Sequence, residues 1–447
     1  MTFKSRLALS VGKSSQWFLQ TFMKGGSSLP GKIALKLDPD VLNAISKDYE
    51  IIVVTGTNGK TLTTALTVNI LKQQFGDVLT NTTGANMLQG IVSTFLSDKP
   101  KKGQKKFAVL EIDEASLSKV TKYLKPSAFL FTNIFRDQLD RYGEIYTTYQ
   151  MIVDGAANAP DATIIANGDL PLFNSNESVN SRVFYGFNHE EDPEVVPSSN
   201  TDGLLCPRCQ HILKYNMLTY SNQGKYYCSH CQFKRPELSY QVTNLNDMTN
   251  TYSEFEIDGT KQRIEVGGLY NIYNALAAAA VAKHYGVTDE NIAKGLTYDQ
   301  KVFGRQEVIN IDGKECTLVL VKNPVGLNQV IDMINLAPQP FSLVQILNSN
   351  YADGIDVSWI WDGNYESFAE MTIPNVIAGG ERSKDIALRM KVAGLENNNF
   401  KEIPELPKII EEIKQMDTER VFILATYTAV LQLRKELASQ GYIKGGM

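Results

Sequence analysis

The sequence predicts an α/β protein, with a mostly parallel, helix-covered sheet, a small inserted zinc ribbon of four cysteines and a second, smaller α/β domain behind it. Three observations lead there. From Ile51 onward, β-branched apolar runs alternate with glycine-containing loops and helix-compatible tracts. The first of these runs passes through two glycines into Gly59-Lys60-Thr61. Four of the five cysteines fall as two close pairs.

Ile51-Ile52-Val53-Val54 reads as a buried strand, and Leu62 to Gln73 as a helix. Between them lies Thr55-Gly56-Thr57-Asn58-Gly59-Lys60-Thr61. Strand, glycine turn, Gly-Lys-Thr and helix make a phosphate-binding loop. The N–H groups of Thr57, Asn58 and Gly59 and the helix N-terminus face phosphate oxygens, Lys60 reaches the β and γ groups, and the Thr61 hydroxyl holds magnesium. The generic pattern has a Gly where this chain has Val54.

A length of 447 residues predicts two or three domains. The composition, 43% apolar and 21% charged, is that of an ordinary soluble protein, and a net charge of −5 argues against nucleic acid as the main partner. No apolar run approaches a membrane span, and no small-residue cleavage site follows the N-terminal apolar tract.

Cys206-Pro-Arg-Cys209 and Cys228-Ser-His-Cys231 are separated by eighteen residues, a zinc-ribbon spacing that suits a reducing cytoplasm. Four thiolates close a tetrahedral site, so the zinc is expected to be structural, and His211 and His230 are not needed as ligands.

Before the phosphate loop, Phe3, Leu7, Val11, Phe18 and Phe22 mark an amphipathic helix. It is expected either to pack on its own domain or to offer a surface that meets a membrane interface or a lipid-linked substrate. Phe107 to Ile112 is the next buried strand, and it ends among Glu111, Asp113 and Glu114, where a doubly wound sheet places metal chemistry. Another strand, Phe129 to Asn133, leads to Arg136-Asp137-Gln138-Leu139-Asp140-Arg141-Tyr142-Gly143. The Lys-rich tract 101–106 reads as a solvated loop. Strands at 316–321, 342–348 and 421–425 belong to the last domain, which also carries Lys322-Asn323-Pro324 and a tract rich in Asp and Trp from Asn350 to Asp362.

Several motifs follow, in order, the central domain of the Mur ligase family, which the chain therefore resembles: the phosphate loop, Thr83-Gly84-Ala85-Asn86, Glu111, the Thr132-Asn133 to Gly143 stretch, Asn167-Gly168-Asp169 and Leu269-Tyr270-Asn271-Ile272-Tyr273-Asn274. The resemblance implies that Lys60 and Thr61 bind phosphate and magnesium, that Glu111 binds the same magnesium, and that Asn271, Asn274 and Arg305 help to bind ATP. It also implies three segments: an N-terminal piece over 1–48, a Mur ligase-like ATPase domain over 49–302 with the zinc ribbon at 200–235, and a C-terminal α/β domain over 303–447. Gln138 and Val153 depart from the family, which has His and a carbamylated Lys there, so a second magnesium is expected to be absent or held differently. Only about fifty residues precede Ile51, too few for a UDP-binding domain of about one hundred residues.

The Asp-Trp tract, Ala425-Thr426-Tyr427-Thr428-Ala429, the Cys pairs and the missing UDP-binding domain extend the resemblance to the MurT family, ligase subunits of a lipid II isoglutaminyl synthase. This implies ATP-dependent amidation of the D-glutamate α-carboxylate of lipid II at the inner face of the cell membrane. The ammonia would come from a partner glutaminase, GatD. Cys316 lies mid-strand with no evident His partner, so a glutaminase nucleophile is not expected in this chain. In the family, an Asp of the C-terminal domain is thought to complete the partner's Cys-His pair; Asp356 is the first choice, ahead of Asp353 and Asp362. The catalytic expectation is therefore Lys60 and Asp356. A ligase adding an amino acid, of the folylpolyglutamate type, stays open as an alternative.

Overall fold

A computed structural model describes residues 2–22, 28–81, 85–99, 106–137, 143–189, 194–197, 201–297, 306–396 and 399–444. The strands of the larger sheet are β1 (Tyr49–Thr55), β2 (Leu79–Thr80), β3 (Lys106–Glu111), β4 (Ala128–Phe131), β5 (Thr163–Asn167) and β6 (Arg182–Phe187), then β9 to β11 below. A separate hairpin, β7 (Lys214–Tyr220) and β8 (Gln223–Tyr227), precedes β9 (Tyr240–Met248), β10 (Ser253–Ile257) and β11 (Thr260–Ile264). The last domain supplies β12 (Glu307–Ile311), β13 (Lys314–Leu320), β14 (Ser342–Ile346), β15 (Val376–Gly379), β16 (Phe400–Ile403) and β17 (Arg420–Ala425).

Nine strands run in the order β11-β10-β9-β6-β5-β4-β1-β3-β2. All pairs from β2 across to β9 are parallel, while β9, β10 and β11 form an antiparallel edge. The strand β1 lies between β3 and β4, and its Ile51 to Val54 are buried on both faces, which is why the run is apolar without alternation. Helix Lys60–Phe75 returns from β1 and packs against helix Leu269–His284, whose Ala275 and Ala277 to Ala280 allow a close approach.

The second sheet has six strands, β12-β13-β17-β14-β15-β16, parallel except for the β12–β13 hairpin. Its residues alternate between two cores. Leu343, Phe422 and Leu424 face one side, and Val344, Ile423 and Ala425 the other.

The N-terminal helix Phe3–Phe22 does pack on the larger domain, but not through the apolar positions that the periodicity picks out. Ser5, Ala8, Gly12 and Leu19 are buried, whereas Phe3, Leu7, Val11 and Phe18 are exposed. Small side chains win the interface because the helices come so close there. A Cβ on Gly12 would lie 2.8 Å from Leu96 Cδ1 and 3.3 Å from Ala34 Cβ.

Candidate active site and cysteine cluster

The loop after β1 is shaped by two glycines that no other residue replaces. Gly59 has φ 82°, and a Cβ there would stand 2.0 Å from Asn274 Oδ1; at Gly56, with φ 131°, it would stand 2.3 Å from Thr132 Oγ1. The end of β4 holds the loop in place. The Thr57 N–H donates to the Asn133 carbonyl at 2.8 Å, the Asn58 N–H to Asn133 Oδ1 at 2.8 Å, and Thr132 Oγ1 to the Asn58 carbonyl at 3.0 Å. Thr57 turns its hydroxyl inward, where it accepts from the Phe135 N–H at 3.1 Å.

Lys60 opens the following helix and is nearly buried. Its ammonium donates to the Gly56 carbonyl at 2.5 Å and to Glu114 Oε1 at 2.9 Å. Burial pulls its pKa down, but the carboxylates of Glu114, Glu111 and Asp113 outweigh that and hold it above the ordinary lysine value. Burial also pushes the Glu114 carboxyl above the usual range, against the pull of Lys60.

The acidic cluster divides its work. Asp113 accepts from the Ala115 N–H at 3.1 Å and caps helix Glu114–Thr121, Glu114 pairs with Lys60, and Glu111 stays half-buried at the strand end. The Asn81 amide grips the Glu111 backbone from both sides, accepting from its N–H and donating to its carbonyl at 2.9 Å each. Thr61 is half-buried on the first turn of the helix.

Beside the loop lies a narrow cleft of about 40 Å³. Asn58, Gly59, Asn271 and Asn274 form its polar side, and Phe135, Tyr220 and Tyr270 its aromatic wall. Asn271 donates to the Gly267 carbonyl at 2.7 Å and steadies the start of its own helix. Asn274 accepts from Thr63 Oγ1 at 3.2 Å and so ties that helix to the one behind the loop. The far wall comes from the last domain, through Val319 to Lys322 at and just past the end of β13, and Val325, Gly326, Gln329 and Val330 on helix Pro324–Asn335. There Asn323 caps helix Pro324–Asn335 and exchanges two amide hydrogen bonds with Asn58, at 3.0 and 3.2 Å. Lys322 pairs with Asp137.

Three aspartates of the Asp-Trp tract have different surroundings. Asp353 is buried and accepts from the Thr428 N–H at 2.7 Å and the Asn350 N–H at 3.1 Å, capping the last helix. Asp362 accepts from Arg136 at 2.5 Å. Asp356 is exposed, accepts only from the Ser358 N–H at 2.8 Å and hydroxyl at 2.9 Å among the described residues, and lines a second cleft with Arg136, Asp137 and Lys322. Those two bonds hold its carboxyl below the usual range.

The four cysteines come together as their spacing predicts. All four Sγ atoms lie within 4.8 Å of one another, with Cys206–Cys231 and Cys209–Cys228 each at 3.5 Å and no disulfide. Each pair sits on a tight turn closed by a residue at φ 62°, Gln210 or Gln232. Four thiols so placed fit one tetrahedral zinc. Burial opposes ionisation of Cys228, but the N–H groups of Cys231 and His230 overcome it and draw its thiol down to about 6. His211 and His230 stack on each other at 3.8 Å, apart from the sulfur cluster.

The Mur ligase middle-domain family matches residues 54–282, and the family described as MurT ligase C-terminal matches residues 320–430. The chain is 52% identical to the Streptococcus pneumoniae "Lipid II isoglutaminyl synthase (glutamine-hydrolyzing) subunit MurT", over all of both chains. The chain belongs to the MurT family of Mur ligases. Among solved structures, a pseudomurein peptide ligase type C from Methanothermus fervidus superposes at TM-score 0.66 and 21% identity, covering 90% of this chain and 81% of that one. The Thermotoga maritima MurF ligase in complex with ADP gives TM-score 0.64 at 14% identity, covering 91% of this chain and 85% of that one. These likenesses are of fold.

Within this MurT-family frame, Asn58, Gly59, Asn271 and Asn274 line one cleft, Lys60 lies within the field of Glu111, and Thr57 and Thr61 stand beside Asn58 and Lys60 in the same loop and helix start. Arg305 and Gln138 lie outside the described residues. Val153 is on helix Ile145–Ala157 and offers no metal ligand. Sequence reasoning gave no role to Glu114 as the partner of Lys60, to the Tyr220 and Tyr270 wall, or to Lys322 and Asn323. Asn323-Pro324 does carry a readable signal, an N-cap followed by Pro at the first helical position. Nothing local marks Tyr220, which reaches the cleft from the end of β7 in the cysteine insert.

Proposed function

We propose that this chain is the ATP-consuming, amide-forming subunit of a lipid II isoglutaminyl synthase, acting in peptidoglycan synthesis. The γ-phosphoryl of ATP passes to the α-carboxylate of D-glutamate in the lipid II stem peptide. Ammonia attacks the resulting acyl phosphate, phosphate leaves, and D-isoglutamine forms. The observation that carries this reading is the 52% identity along the whole of both chains to the Streptococcus pneumoniae subunit, whose name states the reaction.

In this reading Lys60 neutralises charge on the transferring phosphoryl group and the N-terminus of its helix faces it, while Thr57 and Asn58, whose N–H groups are taken by Asn133, shape the loop around the nucleotide. Asn271, Asn274 and Arg305 hold the nucleotide. Magnesium fits the donors at hand, since the Thr61 hydroxyl and the Glu111 carboxylate are hard oxygens beside Lys60. When bound, the ion supplies further charge neutralisation. Zinc at Cys206, Cys209, Cys228 and Cys231 is structural. The segment boundaries we favour are 1–48, 49–302 and 303–447, with the ribbon at 200–235.

The ammonia comes from a glutaminase partner resembling GatD. Cys316 is buried in β13, and burial pushes its thiol up to about 12, which suits a core residue and not a nucleophile. Asp356 is the residue we assign to the partner's imidazole, because Asp353 and Asp362 already spend their carboxylates on Thr428 and Arg136. No helix among the described residues is long and apolar enough to cross a membrane. The chain is proposed to work in the cytoplasm and to meet lipid II at the inner membrane face.

The test is mass spectrometry of lipid II incubated with ATP, glutamine, this chain and its glutaminase partner. Conversion of the carboxylate to the amide, dependent on ATP, is expected. Amino-acid addition driven by free glutamate without a partner would overturn the reading.

A further inference from the structure

We infer that helix Phe3–Phe22 is an interfacial helix whose outward face rests on an anionic lipid bilayer. This deepens the reading of a lipid-linked substrate and rests on it for its biological sense, but not for its physical argument.

The helix has two faces, and both carry apolar residues. At about 100° per residue, Ser5, Ala8, Gly12 and Leu19 fall on one side, and they are the buried ones. That side is firmly seated, with Gly12 against Leu96 and Ala34, and Ser5 Oγ donating to Asp38 Oδ2 at 2.6 Å. The outward side, from one flank of the buried face round to its back, carries Phe3, Leu7, Val11 and Phe18, which are 81%, 48%, 37% and 51% exposed, with Trp17 at its margin 63% exposed. A helix anchored through one face has no folding reason to expose Phe3, Leu7 and Val11 on the other.

Charge selects the occupant. Arg6 and Lys13 flank this stripe on one edge and Lys4 on the other, by the same helical geometry. Residues 1–37 contain six Lys or Arg and no Asp or Glu, in a chain whose net charge is −5. Aromatic and aliphatic side chains, with the small polar Ser10, Ser14 and Thr21 among them and only cations as charges at their border, match the boundary between acyl chains and anionic headgroups. A soluble protein partner would need an acidic rim around an apolar centre; a bilayer containing phosphatidylglycerol presents both at once.

Co-sedimentation of the full chain with substrate-free vesicles tests this. Vesicles with phosphatidylglycerol are expected to bind it at least about tenfold more tightly than pure phosphatidylcholine vesicles, and binding should fall with added salt. Phe3→Ser/Leu7→Ser/Val11→Ser should weaken binding at least about tenfold, with thermal unfolding and ATP binding unchanged because these side chains are exposed. Arg6→Glu/Lys13→Glu should remove the preference for phosphatidylglycerol. Equal or negligible binding to both vesicle types overturns the inference, as does a triple variant that binds like the parent. Loss of self-association or of glutaminase binding in the triple variant, without loss of vesicle binding, would instead make the face a protein interface and also overturn it. The vesicles hold neither lipid II nor ATP, so such a failure leaves the amidation reading standing.

Discussion

At the scale of single residues, Lys60 and Asp356 separate two chemistries. Lys60 lies among Glu111, Asp113 and Glu114, and its ammonium is fixed on the loop that it serves. Lys60→Ala is expected to lower ATP-dependent amidation by about a hundredfold or more, the usual scale for losing a preorganised charge at a transition state. Phosphate release measured with saturating ATP checks it. Asp356→Asn should cut glutamine-dependent amidation strongly while leaving ammonium-driven amidation within about twofold, because the substitution keeps shape and removes only the charge that orients an imidazole. Equal loss with both nitrogen sources would remove that role. The Asp356 carboxylate accepts from Ser358 through N–H and hydroxyl, which favour its charged form. Ser358→Ala deletes one of these bonds, so Asp356 should titrate at higher pH than in the parent, read by NMR of the carboxyl carbon.

At the scale of elements, the cysteine insert is more than an appendage. Its small core of Leu213, Tyr215, Tyr226 and Phe233 is too slight to fold alone, so a metal held by the four thiols would supply much of its folding energy. Its hairpin is tied to the larger domain. The Gly224 N–H donates to the Asp169 carbonyl at 2.9 Å, and Thr219 Oγ1 meets the Tyr273 hydroxyl at 2.8 Å. Asp169 is fully buried and paired with Arg235 at 2.8 Å, and it accepts from the Tyr273 hydroxyl at 2.8 Å. The same hairpin carries Tyr220 into the cleft wall. Cys206→Ser should therefore lower zinc content, by elemental mass spectrometry, and also weaken ATP binding several-fold by calorimetry. Retained zinc would remove the ribbon, and intact ATP affinity in a zinc-free protein would remove the coupling.

At the scale of the whole molecule, two sheets meet over one cleft, and few polar contacts among the described residues span them. Asn58 and Asn323 exchange amide bonds, Lys322 pairs with Asp137, and Arg136 pairs with Asp362. Lys322→Ala leaves the Asp137 carboxylate, whose side chain is 7% exposed, without its cation. That should cost roughly 2 kcal/mol, less than a fully buried pair because Lys322 is itself 24% exposed. Chemical denaturation measures the cost. Asn323→Ala should cost about 1 kcal/mol through the lost cap and, on the proposed reading, raise KM for ATP more than it lowers kcat, since Asn323 holds the amide of Asn58, which lines the cleft.

What could be read in the chain by itself was whatever short range determines. The glycine loop, the acidic end of β3 and the paired cysteines each lie within a few consecutive residues, where spacing alone dictates geometry, and their order along the chain carried the resemblance to Mur ligases. Packing and pairing across distance belonged to the tertiary structure. The bond from Asn58 to Asn323 joins residues 265 apart, and that from Lys60 to Glu114 joins residues 54 apart. The direction of the N-terminal helix was settled the same way. Periodicity detects an apolar stripe, but close contact between helices rewards Gly12 and Ala8 over Phe3 and Leu7, so only the fold could decide which face turns inward.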